Sequence, residues 1–137
     1  MSGKIFEEYL KSKHVSITAP RKKIYETLLN TSEPISMDQL IKLCKPLNRV
    51  TVYRVIELFE RISVVHRIQV GWKYKLELSD LFHQHHHHIT CSVCHKIVGV
   101  EEPEGFEEIV RILGESKGFI IDNHILELSG KCKNCQS

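Results

Sequence analysis

The stretch RVTVYRVIELFERISVVHRIQVGWKYKLEL, residues 49–78, carries two periodicities back to back. At 100° per residue, Val52, Val55, Ile56, Phe59 and Ile62 gather on one side of a helix. Tyr53, Arg54, Glu57 and Arg61 fall on the other side, with Arg49 at the flank. The pattern then changes to two short extended runs, VVHRIQV (64–70) and WKYKLEL (72–78), separated by Gly71, which is the mark of a hairpin. A helix that buries one side and turns Tyr and Arg outward from its N-terminal half suits a DNA major groove. Helix then hairpin predicts a winged helix-turn-helix. The competing reading is a small helical domain with a β-ribbon and no DNA.

Outward from that stretch, the upstream chain reads as three more helices. GKIFEEYLKSKH (3–14) places Ile5, Tyr9 and Leu10 on one face. In TAPRKKIYETLLN (18–30), Pro20 suits a first helical turn, where its missing N–H costs nothing, and Ile24, Leu28 and Leu29 recur at helical spacing. SMDQLIKLC (36–44) opens with a capping box, Ser36 and Gln39, ahead of Leu40, Ile41 and Leu43. Asn48 caps the fourth helix, and Cys44 is expected to be a partly buried structural residue.

Downstream, HHHHITC (85–91) and KIVGV (96–100) read as strands, and GFEEIVRILGESK (105–117) as an amphipathic helix through Phe106, Ile109, Val110 and Leu113. Gly118 ends it, and FIIDNHILELSG (119–130) supplies one or two more strands. The expected fold class is therefore α+β: a winged helix-turn-helix domain over 1–81, then a small α/β domain over 82–137. A unit under about 70 residues needs a metal or a partner for stability.

Composition is that of a globular protein, 42% hydrophobic and 26% charged in 137 residues. No apolar stretch approaches the ~20 residues of a membrane span. MSGKIFEEYLKSK has no apolar core of a secretory signal. A cytoplasmic location is expected, where paired cysteines serve metals more than disulfides. Charge is uneven: residues 1–75 hold fourteen Lys and Arg against seven Asp and Glu, while 76–137 hold five against ten. A basic front half is the footprint of a nucleic-acid binder, though a solvated basic face has the same charge.

The acidic back half contains the run HQHHHHITCSVCHK (83–96). Cys91-x-x-Cys94 and Cys132-x-x-Cys135 lie 37 residues apart, and two such knuckles predict a tetrahedral Cys₄ zinc site. A pair of redox disulfides is the alternative. If 85–88 are extended, neighbouring side chains face opposite ways, so His85 and His87 share one face and His86 and His88 the other. One run then seeds two sites. The further candidate ligands are His66, Glu77, Glu107 and His124, each of which alone is more often a solvated or satisfied polar residue. His14, His83 and His95 receive no role.

Taken together, TAPRKKIYETL (18–28), RVTVYRVIELFE (49–60), HHHHITCSVC (85–94) and DNHILELSGKCKNC (122–135) resemble the Fur family of metal-dependent bacterial repressors, over nearly the whole chain. The likeness is strongest to the zinc-uptake regulator branch. The resemblance implies a winged-helix domain, a dimerisation domain, a structural zinc on Cys91, Cys94, Cys132 and Cys135, and regulatory metal. It assigns one regulatory site to His66, Glu77, His86 and His88, and a second to His85, His87, Glu107 and His124. The iron and peroxide branches usually read His-His-Asp-His, where this chain has His87 third; their frequent helix-entry histidine is Pro34, and their acid past the first knuckle is Gly99. These changes favour nitrogen-rich sites and Zn²⁺, with Fe²⁺ or Mn²⁺ as alternatives. The zinc branch often has Asp and Cys where this chain has His66 and Glu77.

The expected function is a metal-responsive, zinc-sensing repressor of metal-uptake genes. It acts as a homodimer on an inverted-repeat operator in double-stranded DNA, with no catalytic residue, membrane or small-molecule substrate. DNA contacts are expected from Arg21, Arg49, Thr51, Tyr53 and Arg54, with Lys22, Lys23, Lys73 and Lys75 on phosphates. The alternatives are an iron-responsive repressor, a zinc-dependent hydrolase suggested by HQHHHH, and a metal buffer that would not need the Tyr/Arg-faced helix.

Overall fold

Four helices lead the chain in the computed structural model, which describes residues 2–83 and 85–137: α1 (Ser2–Ser12), α2 (Ala19–Leu29), α3 (Met37–Leu43) and α4 (Arg49–Arg61). Three of the four starts have a local cause in the sequence. Thr18 Oγ1 accepts the Arg21 N–H at 3.4 Å, and Pro20 lies in the first turn of α2. Ser36 and Gln39 satisfy each other's backbone N–H, the reciprocal box that opens α3. Asn48 Oδ1 accepts the Thr51 N–H at 2.8 Å and opens α4.

Strands β1 (Val65–Val70) and β2 (Lys73–Leu78) follow, paired antiparallel around Gly71 and Trp72, with Gly71 at φ 64° where a side chain would be strained. Ile35 and Leu76 exchange two backbone hydrogen bonds, of 3.0 and 2.7 Å, which seats the approach to α3 beside the hairpin. Helices followed by a two-stranded wing form the expected winged helix-turn-helix.

Its core is built on aromatic packing. Phe6 and Tyr25 stack with ring centroids 4.0 Å apart, Phe59 meets Phe6 edge-on, and Phe82 meets Tyr25 edge-on. Val52, Val55, Ile56 and Phe59 line the buried side of α4 as the 100° pattern requires. Two sequence expectations are corrected. Ile5 is exposed and Phe6 takes its place, because Phe6 and Leu10, four residues apart, centre the buried stripe of α1. Leu43 is exposed and Cys44 fully buried, its thiol 3.6 Å from Thr27 Oγ1.

The described chain divides into two units, Met1–Gln84 and His85–Ser137. The second has a three-stranded sheet in the order β4-β3-β5, with β3 (His87–Cys91) central, β4 (Ile97–Val100) antiparallel to it and β5 (Glu127–Gly130) parallel. Helix α5 (Phe106–Glu115) connects β4 to β5, and a 3-10 turn covers Lys133–Cys135. Of the one or two strands expected in 119–130, one forms, Glu127–Gly130. Residues 119–121 are drawn back onto α5: the Phe119 N–H donates to Gly114 O at 2.9 Å. Ile121 packs so closely that a Cβ on Gly114 would stand 2.5 Å from Ile121 Cγ1. No helix among the described residues is long and apolar enough to cross a membrane.

Candidate metal centres and nucleic-acid face

Cys91 closes β3, and the chain turns back at once: the Cys91 N–H donates to Lys96 O at 2.9 Å and the His95 N–H to Cys91 O at 3.0 Å. The parallel register sets Gly130 opposite Cys91, so Cys132, two residues on, arrives beside the first knuckle. The Cys132 N–H points at Cys91 Sγ, 3.4 Å away. All four sulfurs lie within 4.8 Å of one another, and none of the five cysteines is in a disulfide. Cys94 Sγ and Cys132 Sγ are 3.8 Å apart. A tetrahedron with Zn–S bonds of ~2.3 Å has edges of roughly 3.8 Å, so this spacing fits a zinc ion.

The thiol acidities follow from the same geometry. N–H groups of Cys132, Cys94 and Val93 aimed at Cys91 hold its thiol down to about 5. Cys135, hydrogen-bonded to Cys132 and crowded by the other sulfurs, is pushed up to about 12. Four thiols this close resist ionising together. A divalent cation is the natural counter-charge for them.

The second cluster grows from alternation along the histidine run. The Nε2 atoms of His85, His87 and His124 surround one oxygen, Glu102 Oε1, at 2.8, 2.7 and 2.6 Å. His87 is buried, and the Phe106 ring packs edge-on against His87 and His124. His85 Nε2 and His124 Nε2 are 3.3 Å apart. With Zn–N bonds of ~2.0–2.1 Å a tetrahedral edge is roughly 3.3 Å, which the His85–His124 pair matches, while Glu102 Oε1 stands at hydrogen-bond distance from all three rings. Burial pushes the Glu102 carboxyl upward, but hydrogen bonds from His87, His124 and His85 outweigh it and hold the group at about 2.

Glu107, expected as the acid of this group, stands outside it. It lies on the first turn of α5 with a largely exposed side chain, 3.9 Å from His124 Nδ1, the ring nitrogen away from Glu102. Glu102 was missed by the sequence reading. The run EEPEGFEE offers five acids with no period to separate them, and only the chain reversal at Pro103–Phe106 selects one.

On the opposite face of the run, His86 Nε2 and His88 Nε2 stand 3.2 Å apart, the same tetrahedral edge. Gly99 faces His88 across the sheet, and a Cβ there would sit 3.8 Å from the His86 ring, so the missing side chain leaves that face to the imidazoles. In the N-terminal unit, His66 and Glu77 are direct partners across the hairpin, with Glu77 buried and His66 half-buried.

The residues expected to meet DNA are differently engaged. Tyr53 and Arg54 are exposed on α4. Arg49 pairs with Asp38 at 3.4 Å and lies over the Tyr53 ring, 5.5 Å from its centroid. Thr51 is half-buried, its N–H held by Asn48. Arg21 donates to Ser16 O and Oγ at 2.6 and 2.7 Å, which stiffens the entry to α2. Trp72, unremarked in sequence, is 91% exposed at the wing tip beside Lys73.

Comparison with known proteins yields one family model: that of the ferric uptake regulator family matches residues 12–129. The ferric uptake regulation protein of Yersinia pestis is 33% identical over 136 residues, covering 93% of this chain and 89% of its own. The ferric uptake regulator of Francisella tularensis, solved with iron, is 28% identical with a TM-score of 0.71, over 89% of this chain and 95% of that one. The Helicobacter pylori regulator, described with three functional metal binding sites, has a TM-score of 0.78 at 19% identity, covering 100% and 95%.

Proposed function

This chain belongs to the ferric uptake regulator family, metal-responsive transcription regulators that bind DNA as dimers, and we propose that within it the protein is a zinc-responsive repressor of metal-uptake genes. The observation that carries the zinc reading is the donor set: three imidazole nitrogens and one carboxylate oxygen, all within 4.8 Å of one another. The family's iron-type arrangement would put oxygen donors at residues 87 and 99, which here are His and Gly.

Cys91, Cys94, Cys132 and Cys135 would hold a structural zinc that clips the start of the second unit's sheet to its end. His86 and His88, with His66 and Glu77 from the wing, would form the regulatory site. Supporting this are the 3.2 Å imidazole pair, the cross-strand partnership of His66 with Glu77, and the family pattern. A bound divalent ion supplies the positive charge that lets such donors converge. Ligands drawn from both units would favour one arrangement of the DNA-reading domains over others, a coupling of about 1–3 kcal/mol.

In that arrangement two copies present Tyr53 and Arg54 to the halves of an inverted repeat, since protein two-fold symmetry is mirrored in the operator. Arg54 suits a guanine, gripped at two atoms. Arg21, Lys22, Lys23, Lys73 and Lys75 would contact backbone phosphates, with Arg49 and Thr51 also at the DNA. The second copy is expected on the sheet-and-helix unit, and the site of action is the cytoplasm.

An iron-responsive repressor is the second reading, favoured by the likeness to the ferric uptake regulation protein of Yersinia pestis and to the Francisella tularensis regulator solved with iron. Binding of a palindromic AT-rich duplex, titrated in parallel with Zn²⁺, Fe²⁺ and Mn²⁺, separates the two. Zinc is expected to tighten binding about tenfold or more at the lowest free metal. Equal DNA affinity with and without zinc would overturn the proposal.

A further inference from the structure

We propose that Glu102 is the carboxylate ligand of the three-histidine site and that Glu107 is a positioning residue acting through His124. The inference rests on the reading that this cluster holds an ion, and it reassigns the acid that the family pattern puts at Glu107.

Three observations carry it. Glu102 Oε1 is the common neighbour of three Nε2 atoms, all at 2.6–2.8 Å, so its oxygen converges with them and the four donor atoms lie within 4.8 Å of one another. Its side chain is 17% exposed, against 71% for Glu107. His124 also meets the two acids with different nitrogens: Nε2 faces Glu102, while Nδ1 faces Glu107 at 3.9 Å. The other two histidines likewise use Nε2, so the donor atoms lie on the Glu102 edge of the His124 ring. Glu107 lies on the opposite edge.

An imidazole that gives one nitrogen to a metal commonly passes the N–H of its other nitrogen to a carboxylate, which fixes the tautomer and the ring orientation. Glu107 is within ion-pair reach of that second nitrogen. The backbone maintains the division. Gly105, at φ 83°, and the Phe106 N–H to Pro103 O bond reverse the chain between the two acids. The Phe106 ring then packs against His87 and His124.

The test uses the full chain with zinc in the four-cysteine cluster and His86→Ala with His88→Ala to silence the other imidazole pair. Co²⁺ is titrated in and its visible bands are read, because their intensity and shape report the coordination sphere. One cobalt with tetrahedral-type bands is expected. Glu102→Gln should weaken uptake by roughly 100-fold or more and change the band shape, whereas Glu107→Gln should weaken it about tenfold and leave the bands in place. If Glu102→Gln does not fold, Glu102→Asp decides: weaker uptake is expected, and unaltered affinity overturns the inference. Bands altered by Glu107→Gln also overturn it while the ion-binding reading stands. No cobalt uptake by the parent protein removes both.

Discussion

Cys91 is the sulfur on which the knuckle's N–H groups converge, and that convergence has a measurable consequence for the metal-free protein. A thiol near 8.5 in the unfolded chain and about 5 in the folded one favours folding in full above pH 8.5. That contribution is lost as pH falls through about 5. Cys135, held up to about 12, stays protonated across this window and does not oppose the trend. The melting temperature of the metal-free protein is therefore expected to fall from pH 8.5 to 5, and Cys91→Ser to flatten that slope. An equal slope in both proteins would show that the N–H groups do not stabilise the thiolate.

Among the elements, α4 couples stability to recognition because its first turn serves both. Asn48 satisfies a backbone N–H that would otherwise be unpaired at the helix start, and Asn48→Ala should cost about 1 kcal/mol in urea denaturation. Arg54 is exposed on α4, so Arg54→Ala should leave the urea midpoint unchanged. It should instead weaken operator binding by about 1–3 kcal/mol and relax preference at one base position, read by binding to single-base variants of the operator. A uniform loss across all variants would place Arg54 on a phosphate. The wing braces the far end of α4: Arg67 pairs with Glu60 and lies over the Tyr74 ring, 4.1 Å from its centroid.

In the protein as a whole, the second unit leaves large apolar side chains uncovered. Ile109, Ile112 and Leu113 on α5, with Phe119, Ile120, Ile125 and Leu128 after it, are exposed. Exposed apolar side chains in this number on so small a unit are what an interface would cover. A second copy is the occupant expected from a family of dimers. Ile112→Lys with Leu113→Lys is expected to convert a species of twice 15.9 kDa into one of 15.9 kDa in sedimentation, and to abolish operator binding at nanomolar protein. A double variant that stays dimeric would move the interface elsewhere.

Much of this architecture was legible along the chain because its causes are short-ranged. The caps at Thr18, Ser36 and Asn48 act over three residues, and the hairpin turn at Gly71 over two. Alternation in a run of histidines is enough to divide His85 and His87 from His86 and His88, and the two Cys-x-x-Cys knuckles to bring four sulfurs together. Phe6 over Ile5, and Cys44 over Leu43, turned on which way a helix rolls against its neighbours, which periodicity leaves open by one position. Glu102 was decided in space alone. It lies 17 residues from His85 and 22 from His124, and its selection from five nearby acids depends on how the β4–α5 turn folds back over β3. Contacts closed over such distances are set by packing, and local spacing carries no record of them.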